Sequence, residues 1–276
     1  MTEKKKMSNI QKRLIPAYIF LIIMSFISVF PFYWMISAAT NSTVEVARGK
    51  LTFGLYAWEN LKSLMDQTDL WGAMKNSFVY ATAQTIMALF ICSLAGFGFE
   101  LYHDKAKDRV FSILLLAMMI PGVATMIPLF KMISAANLLN SVWGFMLPAI
   151  STPFLIMMFR QNSRNFPVEI MEAARIDGQT EPGIFFRMYF PIMRSTYAAA
   201  AVITFMNAWN SYMWPRIVMT RNQAQTMPML IANLSNGYKV DYGVLMMGVL
   251  FCSIPTMIIF FVLQKQFAEG ISGAVK

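Results

Sequence analysis

A polar segment over residues 160–195 carries the side chains best suited to recognise another molecule. Pro167 suits the first turn of a helix, and Glu169 follows in that turn, where the helix dipole favours an anion. Gly178 suits the left-handed position just beyond a helix C-terminus. We therefore predict a short helix over about 167–177.

One side of this predicted helix offers a contact surface for a second protein. Ile170, Ala173, Ala174 and Asp177 follow the i, i+3, i+4, i+7 spacing of a single helical face. Two alanines on that face would allow another protein to approach the helix closely. A second helix start at residues 180–182 predicts a two-helix elbow that transmits force to a partner. An amphipathic helix lying on lipid headgroups would explain the same residues, and the pattern leaves both interpretations open.

No residue pattern in the chain predicts catalysis. The phosphate-binding pattern G-x-x-x-x-G-K-[ST] is absent, as are H-E-x-x-H and G-x-S-x-G. Cys92 and Cys252 lie inside apolar runs without metal-binding spacing. We therefore expect no enzyme activity, no metal and no cofactor in this chain, so that any energy for an active process comes from a partner.

Long apolar runs must position these polar residues. The 276 residues are 57% hydrophobic and 13% charged, whereas soluble domains carry about 25% charged residues. A helix crosses a bilayer with about 20 apolar residues. We predict an all-α membrane protein with one transmembrane domain over 1–276 and six spans, at about 14–37, 77–99, 110–130, 141–159, 196–215 and 243–263. The first apolar run exceeds a signal-peptide core, which favours an uncleaved span.

Proline and glycine predict two local features of the spans. Pro121 and Pro128 make the third span the one expected to break or bend, because proline removes an amide donor. Gly96 and Gly98 lie within the second span, where they predict close helix packing rather than a nucleotide site.

The distribution of positive charge predicts the orientation. With the N-terminus inside, 15 of the 23 Lys and Arg residues lie on the cytoplasmic side, which leaves eight outside. Both termini and the 160–195 segment are then cytoplasmic. The net charge of +9 is spread over loops, so we expect no nucleic-acid partner.

The polar segment resembles the EAA loop of ABC-importer permeases, whose pattern is E-A-A, three residues, G, nine residues, I-x-L-P. The matching residues are Glu172, Ala173, Ala174, Gly178 and Pro191. Met188 and Phe190 stand where Ile and Leu are usual, and Asp177 before the glycine resembles the sugar-importer branch.

Further motifs resemble carbohydrate permeases of the maltose-transporter type. They are Asn76-Ser77, Trp209-Asn210, Trp214-Pro215 and the tail at 269–276. The resemblance implies a type I importer permease for a di- or oligosaccharide in a bacterial inner membrane. The partners that it implies are membrane lipid, a second homologous permease, a cytoplasmic ATPase dimer that binds Mg-ATP, and an extracellular or periplasmic sugar-binding protein. A membrane scaffold or channel subunit, whose polar loop binds lipid, is the alternative.

Residue roles follow from the same resemblance. It assigns ATPase coupling to Glu172, Ala173, Ala174, Asp177, Gly178 and Pro191, and a contact of the tail with the ATPase to Gly273 and Lys276.

A second polar group lies in the fifth predicted span. Asn207, Asn210 and Trp214 follow i, i+3, i+7 spacing, with Ser211 beside them. Asn207 lies roughly 16 Å from the start of the span at 1.5 Å per residue, near mid-membrane. Amides can bond sugar hydroxyls and an aromatic face can stack on a sugar ring, but amides also join helices and Trp marks the interface. These residues therefore either line a path for a sugar or serve only helix packing and the membrane interface.

Overall fold

A computed structural model describes the backbone of residues 2–102, 104–237 and 239–273, and the side chains of 14–102, 104–237, 239–262 and 264. These residues form helices and connecting turns, without a β-strand among them. The α-helices in chain order are α1 (Thr2–Ala39), α2 (Thr43–Ala47), α3 (Ala57–Gln67), α4 (Leu70–Leu101), α5 (Lys105–Ala117), α6 (Gly122–Ala135), α7 (Val142–Met146), α8 (Pro153–Ser163), α9 (Val168–Ile176), α10 (Glu181–Ile184), α11 (Phe190–Ile192), α12 (Arg194–Trp209), α13 (Met213–Val218), α14 (Met227–Ser235) and α15 (Tyr242–Gly273). Short 3-10 turns occupy Leu147–Ala149 and Asn222–Ala224, and a π-helical turn occupies Phe185–Tyr189.

Three of the described helices are long and apolar enough to cross a membrane: α1 within Leu14–Ala39, α4, and α15 within Tyr242–Val262. Two bent pairs, α5 with α6 and α7 with α8, bring the number to five if each pair counts as one span. The predicted run at 196–215 is divided between α12 and α13, and α12 has only 16 residues. The predicted total of six spans therefore stays a prediction.

The third predicted span breaks at the expected place. Helix α5 ends at Ala117, α6 begins at Gly122, and their axes meet at 103°. Pro121 stands immediately before α6 with φ −59°, and proline also disfavours helical backbone in the residue before it. Pro128, by contrast, lies inside α6 without ending it.

The chain divides into two compact units, which we describe separately. Residues 1–68 and 234–251 form the first unit. There the Asn60 amide donates to the carbonyls of Ala39 and Asn41, both at 2.9 Å, and Thr43 bonds Asp241. Buried amides in such positions satisfy the carbonyls where a helix ends.

Residues 69–233 and 252–276 form the second unit, in which α4 packs against α8 and α12. A Cβ placed on Gly96 would lie 2.5 Å from Cβ of Phe159 and 2.8 Å from N of Arg160. Gly96 therefore permits the close packing of α4 on α8, as predicted. The same prediction is wrong for Gly98, because a Cβ there meets nothing within 4 Å.

An ionic cluster joins α4, α5 and α8 near the C-terminal end of α4. Arg160 donates to Glu100 at 3.0 Å and to Asp108 at 2.7 Å. Its guanidinium also lies 4.2 Å from the ring centre of Phe111. Because Arg160 is mostly shielded from solvent, these contacts hold more firmly than exposed ion pairs.

Candidate functional site

Helix α9 is the predicted helix of the polar segment. It spans Val168–Ile176, within one residue of the predicted bounds at each end. Glu169 lies in its first turn, as expected, but Pro167 precedes the helix with extended backbone instead of opening it. The prediction is therefore right about the helix and wrong by one residue about the role of the proline.

Gly178 ends α9 in a Schellman arrangement. Its φ is +76°, the left-handed region that glycine adopts without a steric penalty. The amide of Gly178 bonds the carbonyl of Arg175 at 3.0 Å, and the amide of Gln179 bonds that of Ala174 at 2.9 Å. The chain then turns directly into α10, where the side chain of Thr180 accepts from Gly183 N. This turn confirms both the predicted glycine stop and the predicted second helix start.

One face of α9 is buried against an aromatic cluster, which differs from the predicted face. Met171 and Ala174 point inward, whereas Ile170, Ala173 and Asp177 are exposed. The predicted surface of paired alanines is therefore wrong, because Ala174 packs inside the chain's own fold. The buried members of this aromatic cluster are Phe97, Phe166, Met171, Ala174, Ile184, Phe185, Tyr189 and Met193.

Tyr189 lies at the centre of the aromatic cluster. Its ring centre lies 4.9 Å from that of Phe97 and 5.6 Å from that of Phe166. Its hydroxyl lies 2.7 Å from Oγ of Ser163, which itself donates to the carbonyl of Phe159. Tyr189 is therefore the donor, and burial raises the pKa of its phenol, which stays neutral.

The remaining residues of the EAA-like pattern lie around this cluster. Met188 is partly buried against it. Phe190 is exposed on one side and its ring centre lies 4.6 Å from that of Tyr197. Pro191 is exposed within α11. The pattern's apolar positions thus connect the polar segment to the start of α12.

The opposite face of α9 is an exposed ridge formed by Glu169, Glu172, Ala173 and Ile176, which follow i, i+3, i+4, i+7 spacing. Ile176 is 87% exposed, an unusual state for so large an apolar side chain. The ridge therefore presents two carboxylates beside a small and a large apolar residue. Such a surface suits a protein groove with apolar walls and basic groups.

A polar cluster of Tyr102, Arg175 and Glu181 ties α9 to the end of α4. Arg175 donates to Glu181 at 3.0 Å and to the Tyr102 hydroxyl at 2.9 Å. Tyr102 also bonds the second oxygen of Glu181. The sequence analysis missed this cluster, because Tyr102 lies 73 residues before Arg175 and no local pattern relates them.

Three of the four residues singled out in the fifth predicted span line a cleft of about 300 Å³ in the second unit. Asn207, Ser211 and Trp214 all contribute to its wall. The other lining residues are Gln84, Gly122, Met126, Leu129, Phe145, Pro148, Ala149 and Ala208. Gln84 is a polar lining residue that the spacing argument did not find.

The predicted continuous face through Trp214 is wrong. Helix α12 ends at Trp209, and Asn210 turns its amide back to the carbonyl of Met206 at 2.9 Å. Asn210 is not among the residues that line the cleft. Trp214 lies in the separate helix α13, and its indole nitrogen donates to the carbonyls of Gly144 and Phe145 at 3.1 Å. The break, not the helical period, brings Trp214 to the cleft.

The Asn76-Ser77 motif has contacts in the structure, whereas the tail motif is described only in part. The Asn76 amide donates to the carbonyls of Gln223 and Gln225 at 2.7 and 2.9 Å. Ser77 accepts from Met227 N at 2.7 Å. In the predicted tail contact, Gly273 is the last residue of α15, and Lys276 lies outside the described residues.

Known proteins show similarity over nearly the whole chain. The lactose transport system permease protein LacG of Rhizobium radiobacter is 43% identical over 272 residues, covering 98% of this chain and all of the relative. The arabinooligosaccharides transport system permease protein AraQ of Bacillus subtilis strain 168 is 31% identical, with 94% of each chain covered.

The fold has a solved counterpart. A chain from the crystal structure of a bacterial ABC transporter involved in the import of the acidic polysaccharide alginate matches with a TM-score of 0.81, at 17% identity over 97% of this chain and 99% of the other. The predicted fold of an ABC-importer permease is thereby confirmed. Residues 88–273 match the family described as binding-protein-dependent transport system inner membrane component. The chain belongs to this family of membrane permease subunits of ABC importers, as its EAA-like segment predicts.

Proposed function

We propose that this chain is one of two related permease subunits of an ATP-driven importer for a di- or oligosaccharide. It lies in a bacterial inner membrane with both termini in the cytoplasm, and α9 docks on a cytoplasmic ATPase dimer that binds Mg-ATP. The exposed ridge of α9 carries this proposal, because its apolar tip and carboxylates are held rigidly outward by a helix whose other face is buried.

The contacts around α9 suit the transmission of force. The Tyr102–Arg175–Glu181 cluster joins α9 and α10 to the end of α4. The aromatic cluster joins the same segment to α4 through Phe97 and to the start of α12 through Met193. A displacement of α9 by the ATPase would therefore move α4 and α12 together, since closely packed interiors transmit strain.

The relatives and the cleft support a sugar as the transported molecule. One relative, 43% identical over its whole length, is named for lactose transport, and another, 31% identical, is named for arabinooligosaccharides. Asn207, Ser211 and Gln84 offer donors and acceptors to hydroxyl groups within the cleft. A sugar-binding protein outside the membrane would deliver the sugar, and the second permease would complete the pathway.

The coupling role is tested by charge reversal on the ridge. Glu172→Lys replaces an exposed side chain and should leave folding intact, while reducing both co-purification of the ATPase and sugar uptake by tenfold or more. Gly178→Arg should do the same by distorting the end of α9. Asp66→Lys, the same reversal on exposed α3, is the matched control.

The transported molecule is identified by uptake into proteoliposomes that contain the full transporter. Labelled lactose and arabinotriose are offered with the binding protein, with and without ATP. ATP-dependent accumulation of either sugar supports the proposal. A Glu172→Lys transporter that keeps its ATPase and accumulates sugar at the wild-type rate would refute the role of the ridge.

A further inference from the structure

A polar cavity of about 550 Å³ opens beside the first half of α4 and shares no lining residue with the cleft at Asn207. It is lined by Tyr80, Asn140, Arg221, Gln223 and Ala224. Its volume falls in the range of small-molecule sites, roughly 300–1,000 Å³. Tyr80 and Tyr102 are separated by 22 positions of the sequence, roughly 33 Å along a helix, which is about the thickness of a bilayer core. If α9 faces the cytoplasm, this cavity lies on the outer side.

The wall of the cavity is held by hydrogen bonds that do not depend on a ligand. Asn140 has a left-handed backbone, with φ +57°. Its side chain accepts from Arg221 N at 2.9 Å and donates to the Thr220 hydroxyl at 3.0 Å. The Asn76 amide holds the same loop from the other side through the carbonyl of Gln223. The site is therefore largely preformed, which lowers the entropic cost of binding.

Tyr80 supplies an unused polar group to this cavity. Its side chain is only 7% exposed, and its ring centre lies 5.2 Å from that of Phe145. Within the described part of the chain, no residue forms a hydrogen bond with its hydroxyl. This oxygen is not among the fully buried side-chain atoms that lack a partner, so it reaches the cavity and is suited to a ligand.

Arg221 and Gln223 add donors and an acceptor to the cavity. Both side chains are exposed, and Arg221 forms no ion pair within the described part of the chain. A guanidinium offers five N–H donors, while an amide and a phenol each donate and accept. This combination matches the vicinal hydroxyl groups of a sugar, which also donate and accept.

We propose that this cavity is a second sugar subsite of the permease, at the end of α4 opposite the ATPase, where the hydroxyl groups of an arriving di- or oligosaccharide bond Tyr80, Arg221 and Gln223. This inference rests on the proposed import of a sugar. It assigns the subsite to the entry of the pathway, before the cleft at Asn207.

Cysteine protection tests occupancy directly. The Gln223→Cys chain, assembled in the full transporter in nanodiscs, is labelled with N-ethylmaleimide, with the label read on this chain after separation. Lactose or arabinotriose should slow labelling at least threefold. Asn222→Cys, the neighbouring residue outside the cavity lining, is the matched control and should label at the same rate with and without sugar. The unsubstituted chain measures the background from Cys92 and Cys252.

The Tyr80→Phe variant separates binding from structure. It removes one oxygen that no described residue bonds and keeps the ring against Phe145, so the melting temperature should not fall. The KM for sugar uptake should rise about threefold to tenfold, the value of one hydrogen bond. Tyr18→Phe, on exposed α1, should leave KM unchanged.

The outcomes distinguish this subsite from the proposed function. Uptake of a sugar without protection of Gln223→Cys, and with wild-type KM in Tyr80→Phe, overturns the subsite and leaves the import proposal standing. Protection without uptake supports the subsite and counts against import of that sugar. Absence of both overturns both proposals. Stronger protection by glycerol 3-phosphate, an anionic polyol, than by either sugar overturns the assignment to neutral sugars.

Discussion

At the scale of single residues, Gly178 shows why backbone geometry decides where α9 ends. A Cβ at this position would meet nothing within 4 Å, so space does not require glycine. The φ of +76° does require glycine, because residues with a Cβ adopt the left-handed region only at a cost in conformational energy. That cost is smallest for asparagine.

We expect Gly178→Ala to destabilise the α9 turn by about 1–2 kcal/mol because of its left-handed backbone. The affinity of the ATPase for the permease should fall, since α9 would spend less time in the conformation that the turn at Gly178 fixes. Gly178→Asn should retain most of that affinity. ATPase binding by the two variants, compared in detergent, checks the order, and equal loss in both would exclude a purely conformational cause.

Tyr189 provides a second prediction at this scale. Tyr189→Phe removes the hydrogen bond to Ser163, so the free energy of unfolding should fall by about 1 kcal/mol. Burial raises the pKa of this phenol above its ordinary value, so its contribution is present at neutral pH and is lost as pH rises above about 10.

Melting temperatures at neutral and alkaline pH measure both effects of Tyr189. The difference between wild type and Tyr189→Phe should shrink as the solution becomes alkaline. Tyr18→Phe is the control for general tyrosine effects. A difference that grows with pH would contradict the assignment of Tyr189 as a buried, neutral donor.

At the scale of elements, the packing of α4 decides where the functional segments lie. Gly96 lets α8 approach its backbone, and Phe97, the next residue, reaches into the aromatic cluster under α9. The same helix carries Tyr80 and Gln84 in its first half, where they line the two cavities. One helix therefore supports the α9 segment and both polar cavities.

The two glycines of α4 form a matched pair for testing this packing. Gly96→Ala should lower stability by about 1–3 kcal/mol, because the new methyl group collides with Phe159 and the backbone of Arg160. Gly98→Ala should be neutral or slightly stabilising, as alanine is the better helix former. Thermal melting of the purified transporter compares them, and similar melting temperatures would show that α4 and α8 are not closely packed.

The Tyr102–Arg175–Glu181 cluster predicts a loss of coupling without a loss of folding. Arg175→Gln removes the contacts to Glu181 and Tyr102, all exposed, so the melting temperature should change little. Sugar transported per ATP hydrolysed should fall, because α9 is no longer tied to α4. Arg194→Gln, an exposed arginine at the start of α12, is the control. An unchanged ratio in Arg175→Gln would mean that the aromatic cluster alone transmits the movement.

At the scale of the whole molecule, the predicted orientation places the two ends of α4 on opposite sides of the membrane. The substitutions Asp177→Cys and Asn222→Cys each place a cysteine at an exposed position near one of the two ends of α4. In intact cells an impermeant maleimide should label Asn222→Cys alone, and in inverted vesicles Asp177→Cys alone. The reverse pattern would invert the proposed topology and place α9 outside the cytoplasm.

The sequence by itself determined the membrane class, the helix of the polar segment and the permease family. Each rests on local properties: long apolar runs, a proline just before α9 and a glycine that ends it, and the spacing from Glu172 to Pro191. These signals depend on neighbours within a few turns of the chain, so they can be read without knowing the fold.

Only the tertiary structure decided which face of each helix is buried and where the helices are interrupted. It turned Ala174 inward, because α9 packs on an aromatic cluster built from α4 and the segment before α12. It ended α12 at Trp209, so Asn210 left the predicted face and Trp214 reached the cleft by another route. It also joined Arg175 to Tyr102. For Ala174, Trp214 and Arg175 the physical reason is the same: their packing or hydrogen-bond partners include residues far apart in sequence, and helical spacing carries no information about them.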